Sequence, residues 1–268
     1  CIRDRSYRTF PGAEFGGNIF TADREGILMS ISMRKLRALY KKDLMDFVKN
    51  PAISASVLLP VAFVLLYKYV VGPNLAIEEV SVFLLNLGLL MNCSMSGVLI
   101  VSTSVAEEKE KFTLRTLILS NVSAMEFFLS KILVAVCVTF LGNVVIFLIS
   151  GEPTGHMPVY ILASLLGSCC VIMISALIGL LSRDQMSCSV LQIPVMLLFL
   201  VPPAMASGAV LTFLARITPL GAMLQVYYNL VQGRFGGSTV LAFAVILVWL
   251  VAAVILFGYF YKKKNIDN

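Results

Sequence analysis

Six long apolar stretches constrain this chain more than any other feature of its sequence. They cover approximately residues 52–71, 80–103, 132–150, 159–181, 188–206 and 239–261. Each is close to the roughly 20 apolar residues that an α-helix needs to cross a bilayer. Hydrophobic residues make up 59% of the chain and charged residues only 13%, which is far more apolar than a soluble domain. The sequence therefore predicts an all-α integral membrane protein with six transmembrane helices.

Basic residues are divided unequally between the two ends of these spans. If the N-terminus is inside, the outer connections hold only the cations Lys68, Arg216 and Arg234. The inner side then holds Arg34, Lys35, Arg37, Lys41, Lys42, Lys49, Lys109, Lys111, Arg115, Lys131, Arg183, Lys262, Lys263 and Lys264. Since basic residues accumulate in cytoplasmic loops, we expect a plasma-membrane protein with both termini, including a short tail at residues 265–268, in the cytoplasm.

The stretch 207–237 is too apolar for an ordinary external loop. If it crossed the membrane, Arg216 would lie in mid-bilayer and the Lys262–Lys264 cluster would lie outside, both of which are unfavourable. We therefore predict two short helices, broken at Pro219, that enter the outer leaflet and return without crossing.

The N-terminal region has two parts. Residues 1–32 are polar, Gly-containing and aperiodic, so we expect a disordered extension or a cloning artefact. Residues 33–50 predict a basic amphipathic helix, with apolar side chains on one face and lysines and arginines on the other. Such a helix lies at the membrane surface, in contact with lipid. Asp43 falls within its apolar sector, and no sequence pattern accounts for it.

Residues 104–131 are the one strongly charged interior segment. Glu107, Glu108, Lys109, Glu110 and Lys111 interrupt the apolar sequence, and a short apolar stripe follows them. This pattern predicts a polar hinge between the second and third spans with a short amphipathic helix inside it. A simple solvated loop explains the charges equally well.

Several kinds of chemistry have no motif in the sequence. There is no G-x-x-x-x-G-K-[ST] phosphate loop, so we expect no ATP site of that type and no cofactor bound by this chain. The single histidine, His156, is in an outer loop, and no cluster has metal-ligand spacing. The net charge of +6 comes from residues beside the spans, so it does not indicate nucleic acid.

Polar residues within the spans are uncharged. The absence of ionisable groups in mid-span argues against a proton-coupled carrier or an ion channel. The candidates for a substrate pathway are Asn86, Asn92, Ser96, Asn143 and Gln192. The alternative for each is a hydrogen bond that joins two helices.

The order of these parts resembles the membrane subunit of an ABC transporter of the ABC-2 type, a bacterial six-span exporter permease. The resemblance covers residues 33–264. It rests on the basic first helix, the apolar stretch before the last span, and the run EEKEKFTLRTLILSNVSAMEFFLSK. Within that run, Glu108-Lys109-Glu110, Thr113-Leu114, Ser120–Ser123 and Lys131 match the family pattern, whereas Phe112 stands where the family often has Gly.

The resemblance implies how the chain works. The first helix would be the elbow helix, and the 104–131 hinge would contain a coupling helix that docks on a separate ABC ATPase, which binds ATP and Mg²⁺. Two permeases, identical or different, would enclose a pathway for an amphipathic or apolar cargo such as a peptide, antibiotic or lipid-like molecule. The expected ATPase-coupling residues are Glu107, Glu108, Glu110 and Arg115, with Phe112, Leu114 and Leu117 as apolar anchors.

Two other functions compete with this one. A membrane anchor or immunity protein that transports nothing fits the same composition. An intramembrane protease with paired glutamates fits less well, because Glu78-Glu79 and Glu107-Glu108 both lie outside the predicted spans.

Overall fold

The protein is described by a computed structural model that covers residues 32–71, 80–111, 113, 122–204, 208–234 and 236–266. This part of the chain is helical and contains no strand. Its α-helices are α1 (Met33–Lys49), α2 (Pro51–Leu66), α3 (Val80–Glu110), α4 (Ala124–Ser150), α5 (Met157–Leu181), α6 (Gln185–Ala204), α7 (Ala209–Ile217), α8 (Pro219–Val231) and α9 (Gly237–Ile266). A π-helical turn, Tyr67–Val71, extends α2, and a 3₁₀ turn, Thr154–His156, precedes α5.

Within the described residues, six helices are long and apolar enough to cross a membrane, as the sequence predicted. They are α2 with its π-helical turn, α3, α4, α5 with its 3₁₀ turn, α6 and α9. Two of them extend beyond the apolar stretches, because α3 continues to Glu110 and α4 begins at Ala124. The Glu and Lys residues that prolong α3 have high helix propensity, so leaving the apolar stretch does not end the helix.

Helix α3 is the centre of the bundle and packs against α2, α4, α5 and α6. Small residues let its neighbours approach closely. A β-carbon added at Gly142 of α4 would lie 2.8 Å from the Asn92 amide nitrogen, and one at Gly179 of α5 would lie 3.1 Å from the Ser102 α-carbon. Glycine is therefore needed at both helix contacts.

Three of the six long helices are mostly uncovered. Only 22% of the apolar window of α2, 22% of that of α6 and 17% of that of α9 is buried, compared with 72% for α3. Exposed apolar surface of this extent is unfavourable in water and indicates contact with lipid or with another chain.

Helices α7 and α8 form the predicted pair of short helices that is broken at Pro219. Their axes differ by 87°, and Pro219 is the first residue of α8, where its missing N–H costs nothing. Trp249 of α9 donates its indole N–H to the carbonyl oxygen of Ile217 at 2.7 Å. The structure therefore confirms the break, while the expectation that this pair does not cross the membrane stays a prediction.

Candidate functional site

The last turn of α3 carries four consecutive charged residues, Glu107, Glu108, Lys109 and Glu110, which we call the hub. Successive side chains on an α-helix point about 100° apart. Four consecutive residues therefore face four directions, and each one here contacts a different part of the bundle.

Glu108 joins α3 to both α1 and α4. Its Oε1 atom accepts from Lys42 Nζ of α1 at 2.7 Å and from Lys131 Nζ of α4 at 3.0 Å. Lys131 also contacts Asp43 Oδ1 at 3.1 Å and donates to Ser104 Oγ at 2.8 Å. We call Lys42, Asp43, Glu108 and Lys131 the charged cluster.

This contact explains Asp43, which the sequence pattern left without a role. Asp43 is only 7% exposed, and it accepts hydrogen bonds from the Ser130 hydroxyl and the Lys131 ammonium group of α4. It interrupts the apolar face of α1 because that face rests on the polar residues Ser130 and Lys131 of α4. Asp43 therefore fixes where α1 contacts the bundle.

The charged cluster is buried deeply enough for its pairing to matter. The Lys131 side chain is 2% exposed and that of Asp43 is 5% exposed. Removing one partner of a buried ion pair leaves an uncompensated charge and costs about 3–5 kcal/mol. The Lys131 ammonium also lies 4.9 Å from the centre of the Phe127 ring, which adds a cation–π contact.

Lys42 forms the outer edge of the charged cluster. Burial acts to lower the pKa of Lys42, but its hydrogen bond to Glu108 and the charges of Glu108, Asp43 and Asp46 outweigh burial, and the pKa is raised. Lys42 is therefore protonated at neutral pH and holds the Glu108 carboxylate from the solvent side.

Lys109 and Glu110 hold the connection between α5 and α6. Lys109 Nζ donates to the carbonyl oxygens of Leu180 at 2.7 Å and Ser182 at 2.9 Å, at the C-terminus of α5. Glu110 Oε2 accepts from the backbone N–H of Gln185 at 3.1 Å, at the N-terminus of α6. Each charge is opposite in sign to the helix end that it contacts, so both contacts are stabilised by the helix dipole.

Glu107 contacts the junction of α1 and α2. Its Oε2 atom accepts from the side-chain amide of Asn50 at 2.9 Å, and Asn50 lies between the end of α1 and Pro51. Its other oxygen pairs with the exposed Lys111 one turn later. The four hub residues together contact α1, α4, α5 and α6 and the junction between α1 and α2.

Helix α4 follows the charged segment and begins with a defined N-terminal cap. Ser123 Oγ accepts from the Glu126 backbone N–H at 3.1 Å, and Glu126 Oε2 accepts from the Ser123 N–H at 3.0 Å. This reciprocal capping box satisfies two N–H groups at the helix start. Ser123, the last residue of the Ser120–Ser123 match to the family pattern, is thus the N-cap of α4, which begins eight residues before the expected span.

The structure places the expected coupling residues in two groups. Glu107, Glu108 and Glu110 belong to the hub, and their carboxylates contact other helices of the same chain. The remaining four lie outside the described residues: Phe112, Leu114, Arg115 and Leu117. The sequence did not indicate Lys42, Asp43 or Ser104, because only the tertiary structure brings α1 beside the start of α4.

The expected pathway residues lie between helices. Asn92 Nδ2 donates to Asn143 Oδ1 at 2.8 Å and to the Thr139 carbonyl oxygen at 3.0 Å, and Ser96 Oγ lies 3.1 Å from Thr139 Oγ1. We call Asn92, Ser96, Thr139 and Asn143 the neutral cluster. All four side chains are buried and join α3 to α4, as the interhelical hydrogen-bond alternative predicts.

Gln192 and Asn86 lie outside the neutral cluster. Gln192 of α6 donates to Ser102 Oγ at 2.7 Å and Thr103 Oγ1 at 2.9 Å, which joins α6 to α3. Asn86 is half-buried, and its Oδ1 atom has no hydrogen-bond donor among the described residues. A role for any of the five expected pathway residues in contact with substrate stays a prediction.

Three carboxylates lie close together at the end of α3, and each of them pairs with a lysine. Oxygen atoms of Asp43, Asp46 and Glu108 lie within 4.8 Å of one another, a spacing that a metal ion could use. However, Lys42 and Lys131 pair with these same carboxylates. Each of the three carboxylates is thus paired with an ammonium group, so the arrangement is an ion-pair network.

A crevice of about 500 Å³ opens beside the charged cluster. Residues of α1, α2, α3 and α4 line it, among them Asp46, Asn50 and Val134, and it reaches Thr113, next to the start of the expected coupling helix. The crevice therefore lies where α1 and the hub meet, beside Thr113.

Comparison with known proteins identifies the protein family. A profile described as ABC-2 family transporter protein matches residues 32–260, which include every helix of the bundle up to the last turns of α9. The chain belongs to this family. It is therefore the permease component of an ABC transporter and a multi-pass membrane protein. No curated protein matches it at a significant level.

Within an ABC-2 permease, the hub has a clear structural position. The matched region contains α1, the end of α3 and the start of α4, which are the elements that the charged cluster holds together.

Proposed function

We propose that this permease is coupled to a separate ABC ATPase through the charged segment that follows α3, and that the hub distributes the movement of that segment to the helices. The observation that carries this proposal is that four consecutive residues, Glu107–Glu110, contact four other helices of the bundle and the junction between α1 and α2. A displacement at the end of α3 therefore acts directly on α1, α4 and the α5–α6 connection.

In this proposal the coupling residues have two separate tasks. Phe112, Leu114, Arg115 and Leu117 contact the ATPase, with the apolar side chains as anchors and Arg115 at the polar rim. Glu108 is buried, so it holds the charged segment onto the bundle and does not touch the partner. Glu107 and Glu110 are at the edge of the hub, where they contact the ATPase and also hold the charged segment onto the bundle.

The proposal includes a second permease copy, identical or different, and the direction of transport. The weakly buried helices α2, α6 and α9 leave enough apolar surface for a partner chain in addition to lipid. The substrate would pass between the two copies and out of the cell. A pathway without mid-span charges favours an amphipathic or apolar cargo.

The proposed orientation places both termini and the hub in the cytoplasm of a plasma-membrane protein. It is tested by labelling from outside intact cells, in a chain whose natural cysteines are replaced by serine. A cysteine at Gly155 should react with an impermeant maleimide, whereas one at Arg183 should not. Labelling of Arg183 alone would reverse the topology.

The coupling proposal is tested with Leu114→Asp and the ATPase encoded beside the permease gene. The variant should insert into the membrane normally but lose co-purification of the ATPase, because a buried anchor becomes charged. Lys262→Asp, at an exposed site on α9, is the matched control and should retain the ATPase. Retention of both ATPase binding and transport in Leu114→Asp would show that the segment is only a solvated loop.

A further inference from the structure

A separate groove lies between α1, α4 and α5. It has a volume of about 590 Å³, within the range of about 300–1,000 Å³ that is typical of small-molecule sites. Apolar side chains make most of its wall, including Leu36, Tyr40, Leu133, Val136, Phe140 and Leu165. Among the described residues that line it, Arg37 is the one with a charge.

Arg37 belongs to a row of cations on α1. Arg34, Arg37 and Lys41 are spaced three and four residues apart, so they lie on one side of the helix. All three are exposed, and none forms an ion pair or hydrogen bond with another described residue. We call these three residues the cation row.

The cation row contrasts with three of the lysines at this end of the bundle. Lys42, Lys109 and Lys131 are all engaged with carboxylates or helix carbonyls. The two acids of α1, Asp43 and Asp46, pair with Lys131 and Lys42 and so do not neutralise the cation row. An apolar groove thus has an uncompensated positive charge along one edge.

We propose that this groove binds an anionic phospholipid, with one acyl chain in the groove and the phosphate held by Arg37. The guanidinium group can donate two parallel hydrogen bonds to phosphate oxygens. Arg34 and Lys41 flank it and favour a headgroup with net negative charge, as basic segments at the inner membrane surface do. The ligand is a single lipid in a defined site, in addition to the general contact of an amphipathic helix with the bilayer.

The groove also determines what the lipid would do. Its walls come from α1 on one side and from α4 and α5 on the other, so an acyl chain there would lie between the elbow helix and two spans. Tyr40 of α1 and Cys137 of α4 both line the groove, so the two helices lie side by side there. We infer that the bound lipid fills the space beside this contact and stabilises the position of α1.

Native mass spectrometry of the full chain tests this site. The delipidated protein is titrated with dioleoyl-phosphatidylglycerol or with dioleoyl-phosphatidylcholine, which have the same acyl chains. We expect one tightly retained phosphatidylglycerol, bound at least about fivefold more strongly than phosphatidylcholine. The triple variant Arg34→Gln, Arg37→Gln, Lys41→Gln should lose this preference.

Two controls separate a site from surface charge. The triple variant Arg183→Gln, Lys262→Gln, Lys263→Gln removes the same number of exposed cations elsewhere and should keep the preference. Val136→Trp narrows the groove without changing charge and should reduce retention of both lipids. Thermal unfolding of each variant in detergent shows whether it is folded. If the cation-row variant does not fold, Val136→Trp alone tests the groove.

Three results would overturn the proposal. The first is that neither the cation-row variant nor Val136→Trp changes the retention of phosphatidylglycerol. The second is that the Arg183–Lys262–Lys263 variant loses the lipid preference as much as the cation-row variant does. The third is that lipid binds only to a chain from which residues 1–31 have been removed. The last result would make that segment the occupant of the groove.

Discussion

Helix α3 is joined to α4 by two polar clusters that differ in chemistry and in depth. The neutral cluster, centred on Asn92 and Asn143, uses amides and hydroxyls in the middle of both helices. The charged cluster, with Glu108 and Lys131, uses ion pairs near their ends. Ionised groups are costly in mid-bilayer but not at its edge, so the position along the helix decides which chemistry is used.

The two clusters also differ in what they connect. The neutral cluster joins two helices that already pack through glycine and apolar side chains. The charged cluster adds α1, an amphipathic helix with limited apolar contact of its own, through Lys42 and Asp43. The charged contacts therefore determine where α1 lies on the bundle. The neutral contacts fix the register of α3 against α4.

The largest effect is expected from Lys131→Met. This change leaves the buried Asp43 and Glu108 carboxylates without their shared cation, so we expect a loss of about 3–5 kcal/mol. Thermal unfolding in detergent and the amount of protein in membranes both measure it. Lys262→Met, on the exposed face of α9, should change neither, and equal behaviour of the two variants would show that the charged cluster contributes nothing to stability.

A smaller effect is expected from Gly142→Ala. The added carbon would lie 2.8 Å from Asn92 Nδ2, so it should displace the amide from its hydrogen bonds and cost about 1–3 kcal/mol by overpacking. Gly155→Ala is the control, because no heavy atom lies within 4 Å of a β-carbon there. An unchanged melting temperature in Gly142→Ala would mean that α3 and α4 are not held as closely as the structure shows.

The neutral cluster itself is measured by a double-mutant cycle of Asn92→Ala and Asn143→Ala. Interhelical hydrogen bonds in membranes contribute about 0.6 kcal/mol on average and up to about 2 kcal/mol. We expect a coupling energy in that range, below the effect of Lys131→Met. A coupling larger than the Lys131→Met effect would reverse the order of the two clusters.

The smallest effect is expected from Lys42→Gln. Its side chain is 41% exposed, so solvent screens the pair with Glu108 and the loss should be about 1 kcal/mol or less. Because the pKa of Lys42 is raised, its contribution is fully present below the ordinary lysine pKa of 10.5 and is lost as pH rises through the folded-state value. The difference in melting temperature between Lys42→Gln and wild type should therefore be constant from about pH 6 to 9, and a steep change within this interval would contradict the pairing.

Periodicity and length predicted most of the fold. The six spans, the amphipathic α1 and the break at Pro219 all follow from local patterns of apolar residues and proline. The helix ends were less predictable, because Glu107–Glu110 continue α3 beyond the apolar stretch and Ser123 caps α4 before it. An apolar stretch indicates which part of a helix lies in the membrane, whereas the ends of the helix depend on capping residues and helix propensity.

The site was predicted only in part, for a physical reason. Glu107, Glu108 and Glu110 were expected to contact a partner ATPase because of the family resemblance. The structure gives each of them a contact within the chain, and those contacts come from residues 57 to 75 positions away, apart from Lys111 and Lys131. Asp43 showed a local conflict, a carboxylate on an apolar face, but its resolution required knowing that Ser130 and Lys131 pack against it.

The most direct test of the coupling role is a distance measurement across the hub. Spin labels at Met45 of α1 and Met186 of α6, both exposed, report the separation of these helices in the permease bound to its ATPase, with and without ATP. We expect ATP to change this distance in wild type and to change it much less in Lys109→Gln, which releases the C-terminus of α5 from the hub and leaves the proposed ATPase contacts in place. The same ATP-dependent change in both proteins would contradict the role of the hub.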